Sequence, residues 1–133
     1  MEKISFDNGV REFRLNGGVL RFNPADPNVY LRLTQAEEKI RKIESDITPD
    51  PASLYEADRQ LKEILNWVFG PGNDFNRIVE NVNLLAVAKN GRQVVDNLFS
   101  ALEPILARGA RGSVDLQVET ARKAAKARRA AQK

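Results

Sequence analysis

The side chains that could carry out chemistry in this sequence are limited to carboxylates and lysine amines. Histidine and cysteine are both missing from the 133 residues, so the usual general base, the commonest neutral metal ligand and any thiolate nucleophile are lacking. The carboxylates are scattered over the polar faces of predicted helices. Their spacing does not bring two of them into one apolar pocket, as tuned acid–base catalysis requires. We therefore predict that the chain is not an enzyme and uses neither a cofactor nor a metal ion.

Two glycine-containing segments could cradle a phosphate group. They are Asn16-Gly17-Gly18 and Gly70-Pro71-Gly72. Neither ends in the Gly-Lys-Ser/Thr of a P-loop, and neither forms a GxGxxG pattern between a strand and a helix. We predict that both segments are turns.

Positive charge is concentrated at the end of the sequence. The net charge is +3, but the last twenty residues hold six basic and two acidic side chains, so the rest of the chain is nearly neutral. We predict that residues 109–133 form a flexible or helical basic tail that solubilises the protein or binds a partner. Binding of nucleic-acid phosphates is the less favoured alternative, because the tail lacks aromatic residues on which bases could stack. Its main basic residues are Arg122, Lys123, Lys126, Arg128 and Arg129.

The elements that must position these residues begin with a strand pattern. Polar and apolar side chains alternate in residues 3–6, 11–15 and 19–22, and turns rich in asparagine and glycine separate them. This pattern predicts a two- or three-stranded antiparallel meander within residues 1–23. A sheet this small is marginal alone, so one apolar face should pack on a helix. That face consists of Ile4, Phe6, Phe13, Leu15, Leu20 and Phe22.

Two helices should follow the meander. Asp26-Pro27 and Asp50-Pro51 each combine a capping carboxylate with a proline at the first helical position. They predict helices over residues 27–47 and 51–69, each with apolar side chains at spacings of three and four. Gly70 suits the residue after a helix and should end the second one.

The remaining helical pattern lies in residues 74–106. Asn73-Asp74 should cap a short helix, and a last amphipathic helix should run to Leu106 with a kink at Pro104. The fold class is therefore mainly α (α+β): a small N-terminal antiparallel meander packed on a bundle of three to four helices, with a basic C-terminal tail. At this length, residues 1–108 should form a single domain.

Two sets of apolar residues could contact a partner protein. Trp67 and Phe69 could be aromatic anchors, although core packing is the favoured interpretation because Trp67 lies near the apolar stripe of its helix. A groove between the second and last helices is the other candidate, although burial in the core is again the favoured interpretation. The groove residues are Leu61, Leu65, Val95, Leu98 and Leu102.

The sequence lacks the features of membrane insertion and export. No apolar run approaches the roughly 20 residues that span a bilayer, and the first residues are too polar for a signal peptide. A chain without cysteine suits a reducing compartment. We expect a cytoplasmic protein that does not act at a membrane.

Two segments of the sequence carry a resemblance. The first joins Ile4-Ser5-Phe6-Asp7-Asn8-Gly9 to Val19-Leu20-Arg21-Phe22-Asn23-Pro24-Ala25-Asp26, directly before a charged helix. The second runs from Val68-Phe69-Gly70 through Val82-Asn83-Leu84 to Val95-Asp96-Asn97-Leu98-Phe99-Ser100-Ala101-Leu102-Glu103. In order and spacing, these segments resemble the tail assembly chaperone-like proteins of long-tailed phages and prophages of Gram-positive bacteria.

The resemblance implies a protein-binding role without catalytic residues. Proteins of that family bind the long tape measure protein and prevent its aggregation while the tail tube is assembled. The tape measure protein is therefore the expected partner, self-association around it is a further expectation, and the expected location is the host cytoplasm. Two alternatives stay open: a structural component of the virion tail, and a small nucleic-acid-binding protein that acts through the basic tail.

Overall fold

The structure, a computed structural model, describes residues 1–111, which form a β-hairpin followed by four helices. This arrangement confirms the predicted mainly α class with a small antiparallel sheet packed on helices. The elements are β1 (Arg11–Leu15), β2 (Gly18–Phe22), α1 (Pro27–Asp46), α2 (Pro51–Phe69), α3 (Phe75–Ile78) and α4, which is helical over residues 94–111.

The hairpin pairs β1 with β2 so that Phe13 lies opposite Leu20. Asn16, in the turn between the strands, has a φ of 40°, a backbone conformation that asparagine tolerates better than most residues. Leu20 and Phe22 are buried, and Phe13 and Leu15 are partly buried against the core. The predicted apolar face of the sheet is therefore confirmed for these four side chains.

The segment before β1 does not join the sheet. Residues 1–10 contain no strand, and the predicted burial of Ile4 and Phe6 is wrong, since these side chains are 84% and 83% exposed. The reason lies in the next two residues. The side chains of Asp7 and Asn8 accept hydrogen bonds from the backbone amides two positions further on, and such turns bend the chain before it can pair with β1.

Helices α1 and α2 begin where the sequence predicts. The carboxylate of Asp26 accepts a hydrogen bond from the amide of Asn28 at 2.9 Å, and that of Asp50 accepts one from Ser53 at 3.0 Å. Gly70 ends α2 with φ 95° and ψ 179°, a conformation that is essentially restricted to glycine. The two helices are joined by residues 47–50 and pack against each other as an antiparallel pair.

A single hydrophobic core connects the hairpin with the helices. The rings of Phe22, Phe69 and Phe75 form its aromatic part, with successive ring centroids 4.9 and 5.4 Å apart. Burial of aromatic side chains of this size contributes strongly to stability. The largest fully buried side chains are Leu20, Val29, Leu65, Val68, Phe75, Ile78, Leu84 and Leu102.

The last helix extends further than predicted. Helix α4 passes through Pro104 and is helical to residue 111, beyond the predicted end at Leu106. Proline removes one backbone hydrogen bond from a helix, but packing near this end of α4 supports continuation. Gly109 is buried so closely against the start of α1 that a Cβ atom would lie 1.9 Å from the carbonyl oxygen of Pro24. The hydroxyl of Tyr30 also lies 2.9 Å from the carbonyl oxygen of Leu106.

Candidate functional site

The groove predicted between the second and last helices is filled by its own side chains. Leu61, Leu65, Leu98 and Leu102 are at most 9% exposed and belong to the core, and Val95 is partly buried against it. These residues therefore offer no open surface to a partner, and the interpretation that they are core residues is the one that the burial favours. The five basic residues named from the sequence lie outside the described residues: Arg122, Lys123, Lys126, Arg128 and Arg129.

One charged pair is buried beneath α2, although the carboxylates were expected to lie in solvent. The carboxylate of Asp58 lies 2.8 Å from the ammonium group of Lys62, and both side chains are at most 10% exposed. Asp58 also accepts a hydrogen bond from the amide of Leu84, and Lys62 donates one to Asn76, each at 2.8 Å. Buried charges that are paired and hydrogen-bonded in this way have a structural role. This cluster attaches α2 to α3 and to the loop after it.

The sequence contains a signal for this buried pair. Asp58, Leu61, Lys62 and Leu65 follow one another at spacings of three, one and three residues. Residues three and four apart lie on the same side of a helix, so the charged pair shares a face with two core leucines. Charged side chains on an apolar face indicate a buried pair.

An open groove lies between α1 and α2, on a different side of α2 from the buried pair. Its volume is about 540 Å³, and Asp46 and Ser53 line it near the connection between the helices. An apolar groove between two antiparallel helices is suited to receive a third helix. Its floor consists of Ile43, Ile47, Ala57 and Ile64.

The two sides of this groove carry opposite charges. Helix α1 contributes Lys39, Lys42 and, at its last residue, Asp46, whereas α2 contributes Glu56 and Glu63. Arg59 forms ion pairs with both glutamates. The hydrogen bond that Arg59 donates to Glu56 lowers the pKa of that carboxyl to about 2, so it is ionised at neutral pH. A ligand in the groove would face two ammonium groups and one carboxylate along α1, and along α2 the two carboxylates that pair with Arg59.

Trp67 lies beyond one end of the groove. Its side chain is 41% exposed, so the prediction that it packs in the core is wrong, whereas Phe69 is 4% exposed and is a core residue. The ammonium group of Lys39 lies 4.6 Å from the centroid of the indole ring, within the range of a cation–π interaction. Lys39 lines both the groove and the neighbouring hollow that contains Trp67. The groove therefore continues to a half-exposed aromatic ring.

Other classes of site are not found in the described part of the chain. Residues 1–111 contain no group of three or more Asp or Glu side chains placed to hold a metal ion. Among the helices of that same range, none is long and apolar enough to cross a membrane. No protein-family model, curated protein or solved structure matches the sequence or the fold. The groove between α1 and α2 is the surface on which the proposed function rests.

Proposed function

We propose that this protein binds an amphipathic helix of another protein in the groove between α1 and α2. The observation that carries the proposal is an open apolar floor with lysines on one side and glutamates on the other. Two antiparallel helices with such a seam between them offer the contacts that a third helix makes in a bundle. The bound helix would cover Ile43, Ile47 and Ile64, which are only partly buried.

The charges on the two sides specify what kind of helix fits. A complementary helix has an apolar stripe, acidic residues on the side that faces Lys39 and Lys42, and basic residues on the side that faces Glu56 and Glu63. Charges that flank an apolar seam select the partner and its orientation, because like charges placed side by side are unfavourable. The groove therefore discriminates between the two directions in which a helix could lie.

Trp67 is the candidate anchor at the open end of the groove. Tryptophan is enriched among the residues that dominate binding energy, and this one already has its ring positioned by Lys39. An apolar side chain of the bound helix could pack on the exposed part of the indole ring. Removing the ring should then weaken binding more than removing another exposed aromatic residue.

In its cellular setting, the proposed activity is that of a tail assembly chaperone. Support comes from the resemblance of residues 4–106 to proteins of that class, whose partner is the tape measure protein. A long helical protein with exposed apolar stripes aggregates unless those stripes are covered. A small protein that binds one helical segment in a groove with charged sides would cover its apolar stripe and keep such a partner in solution.

Co-expression tests the proposal directly. The resemblance implies a tape measure protein encoded near this chain, which should be largely insoluble when expressed alone and should become soluble when the chain is present. The double charge reversal Lys39→Glu with Lys42→Glu should abolish this effect, because both sides of the groove are then acidic and repel the acidic edge of the helix in either direction. Lys89→Glu, at an exposed position in a loop outside the groove, is the matched control and should retain full activity.

The one tryptophan of the chain provides a second test. Titration with a tryptophan-free helical peptide from the tape measure protein should shift Trp67 emission to shorter wavelength as the ring leaves water. Trp67→Ala should weaken peptide binding about thirtyfold, as expected for a loss of about 2 kcal/mol. Tyr55→Ala, an equally drastic truncation of an exposed aromatic outside the groove, should leave binding unchanged. Equal affinities of the two variants would contradict the assignment of the groove.

A further inference from the structure

The first six residues form an exposed arm with two large apolar side chains. Ile4 and Phe6 are 84% and 83% exposed, and they alternate with Lys3 and Ser5 in the manner of a strand. We call residues 1–6 the arm. Apolar side chains of this size rarely lie side by side in water without a function.

The arm has a fixed base on the body of the protein. The carbonyl oxygen of Asn8 accepts a hydrogen bond from the side-chain amide of Asn23 at 3.0 Å, just after β2. Gly9 follows with a φ of 76° and lies so close to Asn23 that an added Cβ atom would be 2.5 Å from the side-chain nitrogen. This contact holds the base, whereas no residue of the arm is buried. The arm therefore starts from a defined position next to the hairpin.

The hairpin has one occupied edge and one open edge. On β2, the amide and carbonyl groups of Arg21 bond to the side chain of Asn73 at 2.8 and 2.9 Å. Near the hairpin turn, the amide of Gly17 donates to the carbonyl of Ile78 at 3.3 Å. These contacts supply hydrogen bonds to the outer edge of β2, as a third strand would.

The open edge belongs to β1. Glu12 lies opposite Arg21, whose backbone groups point away from the hairpin, so the backbone groups of Glu12 and of Arg14 also point outward. Within residues 1–111, no backbone hydrogen bond satisfies these outward groups of β1. An unpaired strand edge is a site at which another extended segment can add.

We propose that the arm of a second copy of this chain adds to the open edge of β1, and that the exchange is reciprocal. Each copy carries both an arm and an open edge, so two copies related by a twofold axis satisfy both sites at once. The four turn residues after the arm hold it away from β1 of its own chain, because the amides of Gly9 and Val10 donate hydrogen bonds to the side chains of Asp7 and Asn8. This inference does not depend on the proposed function of the groove.

The side chains of the arm suit this position. With Ile4 and Phe6 on the inner face of the extended sheet, they lie beside Phe13 and Leu15, which are only partly buried. A hollow of about 300 Å³ adjoins Leu15 and can receive one of them. Its apolar lining is formed by Leu15, Ile78, Val79, Val82, Ala88, Val94, Leu98 and Ala101. The exchange would thus cover apolar surface on the arm and along the seam between β1 and α4.

Disulfide trapping in the natural cysteine-free background tests the contact. Whether the arm runs parallel or antiparallel to β1, placing Ile4 and Phe6 beside Phe13 and Leu15 puts Ser5 opposite Arg14. Residues directly opposite on neighbouring strands are close enough for a disulfide. A mixture of the Ser5→Cys chain and the Arg14→Cys chain should therefore form a mixed disulfide on mild oxidation.

The matched control replaces Arg14→Cys by Arg21→Cys. Arg21 is an exposed arginine on the same face of the sheet, but it lies on β2, one strand further from the open edge. The mixed disulfide should be lost with this partner. Equal yields from the two mixtures, or none from either, would overturn the proposal.

Amide exchange of the full chain gives an independent readout. The amides of Glu12 and Arg14 should exchange slowly in the dimer and rapidly on dilution to the monomer. The exposed double variant Ile4→Asp with Phe6→Asp should remain monomeric and exchange rapidly at all concentrations. Protection of these amides in the monomer would mean that the arm folds onto its own sheet. Rapid exchange in a proven dimer, or the lack of any dimer, would equally contradict the exchange.

Discussion

Two ion pairs on α2 have the same sequence spacing but lie in different surroundings. Lys62 and Asp58 are four residues apart and at most 10% exposed, whereas Arg59 and Glu63, also four apart, are 48% and 65% exposed. The first pair is covered by α3 and the loop after it. The second lies on the side of the helix that faces solvent and the groove.

The comparison teaches that burial by neighbouring segments, and not sequence spacing, decides how much an ion pair contributes to the stability of the fold. The buried pair is hydrogen-bonded to Leu84 and Asn76, so it fixes the position of the loop and of α3 relative to α2. The exposed pair contributes little to stability, because water and salt weaken its attraction. Glu63 can therefore be replaced to alter the groove without unfolding the protein.

The largest effect is expected from breaking the buried pair. Asp58→Ala should lower the free energy of unfolding by about 3–5 kcal/mol, because Lys62 would remain buried without a countercharge and the Leu84 amide without an acceptor. Urea denaturation followed by circular dichroism measures this loss. Glu63→Ala, the matched truncation in the exposed pair, should change stability by less than about 1 kcal/mol. Similar losses of unfolding free energy in the two variants would contradict the difference inferred between the buried and the exposed pair.

Asn73→Ala tests how much stability is lost when a buried but uncharged hydrogen-bonding side chain is removed. The Asn73 side chain is 8% exposed and bonds to both backbone groups of Arg21 and to the carbonyl of Phe69. Its removal should cost about 1–3 kcal/mol, since buried backbone groups would lose their partners. Asn28→Ala, at an exposed position in the first turn of α1, should cost much less. If Asn73→Ala lowered the free energy of unfolding as much as Asp58→Ala, a buried charged partner would be worth no more than a buried neutral one.

The smallest effect is expected at low pH from Glu56, the other exposed carboxylate that pairs with Arg59. The pKa of Glu56 falls from 4.5 to about 2 in the folded chain, so its ionised form stabilises the fold above about pH 4.5. That contribution should disappear as the pH falls from about 4.5 to about 2. Hydrogen bonds from Thr48 and Ser53 lower the pKa of Asp50 too, which gives a loss of the same sign.

Glu56→Gln separates the contribution of Glu56 to the loss of stability at acidic pH from that of Asp50. The unfolding temperature of the natural chain should fall more steeply than that of the variant over this acidic range. The difference should shrink in about 1 M salt, where the Debye length is about 3 Å. Parallel curves for the two proteins at low salt would mean that the bond to Arg59 does not persist in solution.

Local sequence signals account for the helices of this fold. Asp26-Pro27 and Asp50-Pro51 mark the starts of α1 and α2 because a cap and a proline act within one helical turn. Gly70 ends α2 for a similarly local reason. The same kind of reasoning left a third strand open at residues 3–6, which the structure does not form, since a strand needs a partner that local alternation does not supply.

The candidate site could not be located from the sequence in the same way. An apolar stripe identifies the residues that avoid water, but not which helix covers them. Leu61 and Leu98 could therefore be proposed for a groove as well as for the core, where they lie, whereas Trp67 was assigned to the core and is half exposed. Ile43 and Ile64 line the open groove although their sequence pattern resembles that of buried residues.

The sequence by itself determined the boundaries of α1 and α2, the apolar face of the hairpin and the lack of histidine and cysteine chemistry. These properties depend on the residue types and on interactions within a few residues along the chain. Tertiary structure decided which edge of the hairpin is occupied, which ion pair is buried and where an apolar seam stays open. Each of these depends on contacts between segments far apart in sequence, such as Arg21 with Asn73 and Asp58 with Leu84.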